Sequence, residues 1–240
     1  MWKYLLRIWG NDLGRIEIRF MKKMLFLCIG CVFMMGVTQA KQFYFEAKMD
    51  HLLANPSNWS PSYPGTKVSK SDTVYILADA HFDGYTIEVS GEWQIISGFT
   101  LSSTDGKVKI LSGGRIINYG SIITQTVDNF GRFDNGPASS LRTNDLITYP
   151  NSMTQNGIGS ELKVARDFIN RGEFQNYSEC QLENLVNYSK IMLLMRSSMH
   201  VGSYSAEMGN QFLSSRMSHF CHQKGRSTIH TRSQALGSAH

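Results

Sequence analysis

Residues 116–133 read IINYGSIITQTVDNFGRF, and this stretch decides the fold. It carries one pattern twice, with an apolar residue, an asparagine, a glycine and a second apolar residue at alternate positions: Ile116-x-Asn118-x-Gly120-x-Ile122 and Val127-x-Asn129-x-Gly131-x-Phe133. Alternating residue types are typical of β-strands, and Asn and Gly favour tight turns. The stretch therefore predicts short strands that are joined by recurring turns.

The pattern recurs along the chain, with Ser in place of Gly in two copies, and its five copies centre on Asn118, Asn129, Asn170, Asn176 and Asn187. Such repetition indicates a solenoid whose chain winds into stacked coils. At the same corner of coils about 4.8 Å apart, Asn side chains can hydrogen-bond as a ladder, while a neighbouring Gly takes the left-handed geometry. We therefore expect structural corners at Asn118, Gly120, Asn129, Gly131, Asn170, Gly172, Asn176 and Asn187.

Short β-rich runs begin at Thr73 and are too short for helices. Glycines follow one another at intervals of six to eleven residues through much of this region, each shortly before an apolar side chain. We predict an all-β fold, a right-handed parallel β-solenoid over residues 72–191. Unrelated Asn-Gly hairpin turns of a β-sandwich are the alternative, since they use the same local chemistry. The solenoid predicts one common core that contains Ile87, Val89, Trp93, Ile95, Leu101, Val108, Ile110, Ile116 and Ile122.

Residues 41–71 differ from the repeat and are predicted to cap its start. Pro56, Pro61 and Pro64 each remove a backbone donor and fix φ, so this segment should consist of turns and irregular coil. Trp59 is the expected apolar plug of the cap.

A family resemblance follows from these residues. The opening Asn58-Trp59-Ser60-Pro61, then Pro64-Gly65 and Ser71-Asp72-Thr73-Val74-Tyr75-Ile76, leads into the Asn-x-Gly units. Over residues 55–191 the chain resembles the repeat regions of large secreted or cell-surface β-helix proteins of bacteria, of the adhesin-like kind. The resemblance implies the solenoid architecture, but such solenoids serve adhesion, surface-layer building and polysaccharide cleavage alike.

Residues 1–40 are interpreted as a misassigned start followed by a signal peptide. Met21-Lys22-Lys23 is a positive segment before the 14-residue uncharged apolar run Met24–Val37, and Thr38-Gln39-Ala40 offers a cleavage point after Ala40. This run is short for a bilayer core of about 30 Å, so it favours export over a membrane span. We expect a secreted or cell-surface protein whose mature chain begins near Lys41 and has no transmembrane span. Lipoprotein processing at Cys31 is a weaker alternative.

The composition excludes several classes of protein. With 42% hydrophobic and 18% charged residues, the chain is neither a disordered polyelectrolyte nor a collagen-like chain. Most of the net charge of +5 lies in residues 1–40, which leaves 18 basic and 17 acidic residues beyond them. The mature chain therefore has no electrostatic signature of nucleic-acid binding.

Residues 192–240 are rich in Ser, Met, His, Arg and Gln and are predicted to form an irregular or disordered tail, with a capping helix over residues 192–199 as one possibility. His219, Cys221, His222 and His230 are permissible zinc or copper ligands, but their spacing matches no closed zinc pattern, so no metal is expected. If cleavage follows Ala40, Cys180 and Cys221 remain. No spacing rule decides whether they pair.

Two sets of side chains could carry a function. An enzyme on this fold would need carboxylates on one face with Arg or Lys nearby, and Arg115 and Arg132 accompany Asp83, Glu88, Glu92, Asp105, Asp128 and Asp134. Charged residues that alternate out of a strand are usually its solvated face. The aromatic residues that follow the ladder Asn could form a sugar-binding strip, although corner packing is the simpler explanation; they are Tyr119, Phe130, Tyr177 and Tyr188.

These observations predict a structural or adhesive protein without catalytic activity or cofactor. Its partners would be polysaccharides or cell-surface components, not nucleic acid. The alternative is a carbohydrate-active enzyme, a polysaccharide lyase or glycoside hydrolase, on the same β-helix.

Overall fold

The structure is a computed structural model that describes residues 39–65, 68–194, 197–206, 212–214 and 219–222. Their regular elements are strands, apart from one 3-10 helix, Pro56–Asn58. The strands are β1 Gln42–Phe45, β2 Trp59–Ser60, β3 Thr73–Ile76, β4 Ala80–His81, β5 Thr86–Val89, β6 Glu92–Ile95, β7 Thr100–Ser102, β8 Lys107–Ile110, β9 Arg115–Asn118, β10 Ser121–Asn129, β11 Arg132–Asn135, β12 Ser140–Thr148, β13 Met153–Asn156, β14 Glu161–Asn170, β15 Glu173–Asn176, β16 Glu179–Asn187, β17 Lys190–Leu193, β18 Ser198–Ala206, β19 Phe212–Ser214 and β20 His219–His222.

The strands form two stacked sheets through which the chain winds. The first sheet has the order β19-β17-β15-β13-β11-β9-β6-β3-β1-β2, and the second runs β20-β18-β16-β14-β12-β10-β7-β4, with β5 and β8 continuing it beside β10. Among the described strands only β1 and β2 pair antiparallel. The predicted architecture is confirmed: the protein is a right-handed parallel β-solenoid of about seven turns.

One turn of the solenoid takes about twenty residues. Val74, Trp93, Ile116 and Phe133 occupy the same position in four successive turns. The early turns have three short strands, whereas β10 alone pairs with both β7 and β8. Each later turn therefore has one short strand in the first sheet and one long strand in the second.

The interior is a single apolar column. All nine side chains predicted for the common core are buried in it, from Ile87 to Ile122. Farther along, Phe168 and Phe174 pack edge to face with their ring centroids 4.9 Å apart. Burying side chains of this size contributes about 1.5–3 kcal/mol each, so the column is the main source of stability.

The start of the solenoid is covered by residues 42–65. Trp59 is buried, donates from Nε1 to the carbonyl oxygen of Leu53 at 2.8 Å, and packs against Phe45 with ring centroids 5.3 Å apart. The fully buried Asn58 accepts from the backbone N–H of Met49 at 2.9 Å and donates to Asp50 at 2.6 Å. This amide fixes the turn that precedes the helix, a role that the sequence did not reveal.

Strands continue beyond residue 191, where the repeat was expected to stop. β17 contains Met192 and Leu193, and β18 runs from Ser198 to Ala206, so the expected capping helix over residues 192–199 is wrong. The alternation of buried and exposed residues in β18 shows why, since it has the period of a strand. His219, Cys221 and His222 lie in β20. Residues 1–38, which contain most of the predicted misassigned start and signal peptide, and His230 lie outside the described residues.

Candidate functional site

The predicted asparagines lie at two different corners of the solenoid. Strand register places Asn118, Asn135, Asn156 and Asn176 in one row at the ends of the short strands, which we name the first ladder. A second row at the ends of the long strands, the second ladder, contains Asn129, Thr148, Asn170 and Asn187. Asn129 and Asn135 are only six residues apart because they lie at consecutive corners of the same coil. Residues that stack on each other in one row are about twenty residues apart.

The first ladder is a continuous chain of amide hydrogen bonds between coils. Asn118 donates from Nδ2 to Oδ1 of Asn135 at 2.8 Å, Asn135 to Asn156 at 2.9 Å, and Asn156 to Asn176 at 2.8 Å. The second proton of each Nδ2 goes to a backbone carbonyl; for Asn118 this is Ser140, at 2.9 Å. All four side chains are buried, so every amide is satisfied without water.

Two kinds of turn complete the ladders. In two-residue turns, Oδ1 of the asparagine accepts from the backbone N–H two residues later, at 3.1 Å from Gly120 and 3.0 Å from Gly131. In four-residue turns of the first ladder, the last turn residue is a serine whose hydroxyl donates to Oδ1 of the asparagine. The distances are 2.8 Å for Ser139 and 2.7 Å for Ser160. The predicted pattern describes only the two-residue turns, and it therefore missed Asn135 and Asn156.

The first ladder ends at Leu193, which occupies the next position in register after Asn176. The turn that follows closes with Ser197, whose N–H donates to the carbonyl of Leu194 at 3.3 Å. The buried hydroxyl of Ser197 has no hydrogen-bond partner among the described residues. In the other four-residue turns the serine hydroxyl donates to Oδ1 of the ladder asparagine. Leu193 occupies the asparagine position here and has no such oxygen, so the hydroxyl of Ser197 is left without that acceptor.

The second ladder is interrupted at Thr148. Asn129 donates to the hydroxyl of Thr154 at 3.0 Å and to the carbonyl of Met153 at 2.7 Å, while Asn170 donates to Oδ1 of Asn187 at 2.8 Å. Oδ1 of Asn170 is buried and has no hydrogen-bond partner in the described part of the chain. An asparagine at position 148 would supply that partner.

The predicted left-handed geometry of Gly120, Gly131 and Gly172 is wrong. From β3 onward, the described residues with positive φ lie at the third position of four-residue turns instead; examples are Gly98 at 88° and Gly113 at 83°. The corner glycines are required for close contact between coils. A Cβ on Gly131 would lie 2.2 Å from the carbonyl oxygen of Gly114, and one on Gly120 would lie 2.2 Å from that of Phe99.

The aromatic residues after the asparagines do not form one strip. Tyr119 and Tyr177 follow first-ladder residues, whereas Phe130 and Tyr188 follow second-ladder residues. Phe130 stacks on Tyr149, with ring centroids 3.7 Å apart and planes 13° apart. Because this stacking covers ring faces, it favours the packing role that the sequence suggested.

Four candidate catalytic residues meet on the outside of the first sheet. Arg115 contacts Glu92 at 3.5 Å and Asp134 at 2.7 Å, and Arg132 also contacts Asp134 at 2.8 Å. Arg115 lies between the two carboxylates, so the group is an ion-pair network across three coils. The Glu92–Arg115 pair is partly exposed and adds little stability, about 0–1 kcal/mol, whereas Asp134 is buried against its two arginines.

The remaining candidate carboxylates lie apart from this network and bind neighbouring coils. Asp83 accepts from the backbone N–H of Thr104 at 2.9 Å, and this bond holds the pKa of the exposed carboxyl below its ordinary value of 3.8. Asp105 accepts from the N–H of Gly84 at 2.8 Å. Glu88 and Asp128 form ion pairs with Lys109 and Lys107, respectively. These carboxylates act as links between coils.

Two open grooves cross the described surface. One, of about 570 Å³ on the second sheet, contains Lys163, Glu179, Glu183 and His200. Glu179 and Glu183 lie four residues apart on β16, about 13 Å along an extended strand, which is too far for the paired carboxylates of a glycosidase. The other, of about 510 Å³, lies beside the second ladder and is named the corner groove; its lining is Pro150, Asn151, Ser152, Met153, Arg171, Gly172, Glu173, Ser189 and Lys190.

Cys180 is a free, fully buried thiol in the core. β16, which carries it, is separated from β20 by β18, so two strand spacings of about 4.8 Å each lie between Cys180 and Cys221. A disulfide requires Cα atoms within about 7 Å. The strand order therefore keeps these two cysteines from pairing.

No group of three or more His, Cys, Asp or Glu side chains in the described ranges could hold a metal ion. In the same ranges, no helix has the length and apolar character that crossing a membrane requires. Comparisons with models of protein families, with curated proteins and with solved structures found no match to this chain.

Proposed function

We propose that this protein is a secreted or surface-displayed structural protein of the adhesin-like β-solenoid kind, and that it acts as a stiff spacer or contact surface without catalysing a reaction. The observation that carries the proposal is the unbroken amide chain of the first ladder, from Asn118 to Asn176. Each coil is fixed to the next by side chains as well as by backbone, and this arrangement resists bending and unwinding.

The outer carboxylates support a role without catalysis. Glu88, Glu92, Asp128 and Asp134 are paired with basic residues of adjacent coils. A general acid or nucleophile needs a carboxylate that faces substrate in a groove. These carboxylates face neighbouring coils instead.

The alternative function is a carbohydrate-active enzyme. The observation that favours it is the pair Glu92 and Asp134, which lie two coils apart on either side of Arg115. Both carboxylates contact the guanidinium of Arg115, at 3.5 and 2.7 Å, so one guanidinium spans the gap between them, which is comparable to the carboxylate separation of an inverting glycosidase. Polysaccharide partners are common to both functions.

Fractionation of the producing cells, with N-terminal sequencing of the recovered protein, tests export. We expect a chain that begins near Lys41 in the medium or at the cell surface; a cytoplasmic protein that retains Trp2 or Lys3 would contradict the proposal. A second assay screens polysaccharides for cleavage. We expect none, and a cleavage activity that Glu92→Ala or Asp134→Ala abolishes without loss of stability would establish the enzyme instead.

A further inference from the structure

Among the described arginines, Arg171 alone forms no ion pair. Arg115, Arg132, Arg142 and Arg166 each form an ion pair with a carboxylate. Arg171 is exposed, and its guanidinium contacts no carboxylate in the described part of the chain. Its backbone N–H is bonded to Thr148 at 2.7 Å, so the residue is fixed at the corner while its side chain faces solvent.

The guanidinium of Arg171 is held in a defined orientation. Its Cζ lies 5.4 Å from the ring centroid of Tyr188, one coil farther along. Stacking on a ring occupies the flat face of a guanidinium, whereas its N–H donors lie in the plane and stay available for a carboxylate. Tyr188 retains 39% of its own surface exposed beside it.

The corner groove gives this cation a shaped surrounding. The four-residue turn 149–152 forms one side, because the nearest turns at this corner, 130–131, 171–172 and 188–189, have only two residues. Lys190 supplies a second cation, and its Nζ lies 3.6 Å from Glu173, a looser contact than the other ion pairs. A volume of about 510 Å³ falls within the range of small-ligand sites.

We propose that the corner groove binds acidic polysaccharide, with Arg171 holding a sugar carboxylate in a bidentate contact and Tyr188 packing against the sugar ring. The proposal rests on the structural or adhesive function proposed above and names its ligand class. Tyr149, Arg171 and Tyr188 rise by one coil each, about 4.8 Å per step, so a linear polymer can lie along the row. The net positive charge of the groove favours a uronate chain over a neutral one.

The test is calorimetric titration of the full chain with oligogalacturonate at low salt. We expect binding by the wild-type protein, at least a tenfold loss of affinity in Arg171→Ala, and a smaller loss in Arg171→Lys, since lysine keeps the charge but lacks the fork. Tyr188→Ala should weaken binding about fivefold. Arg166→Ala is the matched control, because it removes an exposed arginine outside the groove, and its affinity should stay within twofold of wild type.

Two further probes separate sugar recognition from simple charge attraction. Methyl-esterified oligogalacturonate has the same sugars without the charge and should not bind. Poly-L-glutamate of equal charge should bind at least tenfold more weakly than oligogalacturonate. Equal affinities of Arg171→Ala and Arg166→Ala, equal binding of poly-L-glutamate, or no binding of oligogalacturonate by the wild-type protein would each overturn the inference.

Failure of this inference is distinguishable from failure of the proposed function. An exported protein that binds no oligogalacturonate contradicts only the ligand. A protein found only inside the cell contradicts the proposed role, whatever the groove binds.

Discussion

Each first-ladder asparagine uses both ends of its amide, and this separates it from an asparagine on the surface of a strand. Asn135 donates to Asn156 and to the carbonyl of Glu161, and it accepts from Asn118 and Ser139. Its partners lie on both adjacent coils and in its own turn. Removing the Asn135 side chain leaves unpaired groups on both adjacent coils and in its own turn. These groups are buried, so water does not replace the lost hydrogen bonds.

Asn135→Ala should lower the free energy of unfolding by about 3 kcal/mol. Asn144→Ala is the matched control, because Asn144 lies half-exposed on β12 and makes no hydrogen bond with its described neighbours. It should change stability by less than about 0.5 kcal/mol. Urea unfolding of both variants measures the difference, and equal stabilities would show that the ladder does not hold the coils together.

Glycines at the corners serve two physical needs that look the same in sequence. Gly113 has φ at 83° with open space around its Cα, so its requirement is conformational. Gly131 has ordinary φ, and its requirement is space, since the carbonyl oxygens of Gly114 and Leu111 lie 2.2 and 2.6 Å from the position of a Cβ. The sequence located these glycines, but only the stacking of coils distinguishes them.

Gly131→Ala should destabilise the protein by about 3 kcal/mol, because the added methyl must push two coils apart. Gly113→Ala should cost about 1–2 kcal/mol, the penalty of left-handed backbone, and Ala138 already occupies the equivalent turn position at a φ of 56°. Thermal unfolding of the two variants compares them. A larger loss for Gly113→Ala would refute the close-contact explanation.

Burial gives the stability a dependence on alkaline pH. Desolvation raises the pKa of the Cys180 thiol above its ordinary value of 9.0 and that of the half-buried Tyr85 hydroxyl above 10.0. The unfolded chain therefore loses these protons at lower pH than the folded chain. The stabilisation is complete below about pH 9 and is lost as the pH rises.

Between pH 9 and 10 the free energy of unfolding should fall by up to about 1.4 kcal/mol per pH unit, and Cys180→Val should flatten this decline. Tyr85→Phe is the control, because it should flatten the curve only above about pH 10. Urea unfolding under reducing conditions across pH 8–11 measures both. An unchanged slope in Cys180→Val would contradict the prediction.

At the scale of elements, the turns decide what could be read from the sequence. Strands and core were predictable because alternation is local, and every expected core residue from Ile87 to Ile122 is buried. The position of each corner in the coil was not predictable, because Asn118 and Asn129 lie in the same Asn-x-Gly pattern but end strands of different sheets. Asn156 was missed because its turn closes through the hydroxyl of Ser160, which lies four residues after the asparagine and not at the two-residue spacing of Asn-x-Gly.

The interruption of the second ladder comes from the side chain at position 148, where a threonine lies in register with Asn129 and Asn170. At Asn129 and Asn187, Oδ1 accepts the N–H two residues later. After Thr148 that position is Pro150, which has no N–H to donate, but Pro137 occupies the same position after Asn135, where the hydroxyl of Ser139 donates instead. Thr148 instead bonds the hydroxyl of Thr154 at 2.9 Å.

Replacing residues 148–152 by Asn-Tyr-Ser should therefore repair the second ladder. The new turn copies Asn187-Tyr188-Ser189, removes the left-handed Asn151 and gives the buried Oδ1 of Asn170 a donor. We expect the free energy of unfolding to rise by about 1–2 kcal/mol in urea titrations. The same replacement with Val for the new Asn is the control, and equal stability of the two variants would contradict the repair.

At the scale of the molecule, each coil contacts only its neighbours, so stability adds up along one axis. A turn can therefore be removed if the register of the remaining turns is kept. Without residues 153–172, β15 can stack on β11 and β16 on β12, which aligns Asn176 with Asn135 and Leu185 with Leu146. Every side chain that points into the interior of the remaining coils still points inward.

The variant that lacks residues 153–172 should fold and unfold in one transition, at a somewhat lower temperature than wild type, because it loses one coil and one coil interface. Circular dichroism and thermal unfolding test this. Removing residues 153–162 is the control, since half a turn disrupts the register of every later strand. If both deletions fold equally well, the coils do not interact through register.

The stacking of coils also determines how the protein ages chemically. Asn135-Gly136 and Asn156-Gly157 are the sequences most prone to deamidation, in which the glycine nitrogen attacks the asparagine side-chain carbonyl and expels ammonia. In the solenoid, the N–H of Gly136 donates to the backbone carbonyl of Asn118 and the N–H of Gly157 to that of Asn135, each at 2.7 Å. Neither nitrogen is therefore free to attack. Isoaspartate at these two positions would accumulate only in molecules whose coils had separated, and its amount would record how often they do.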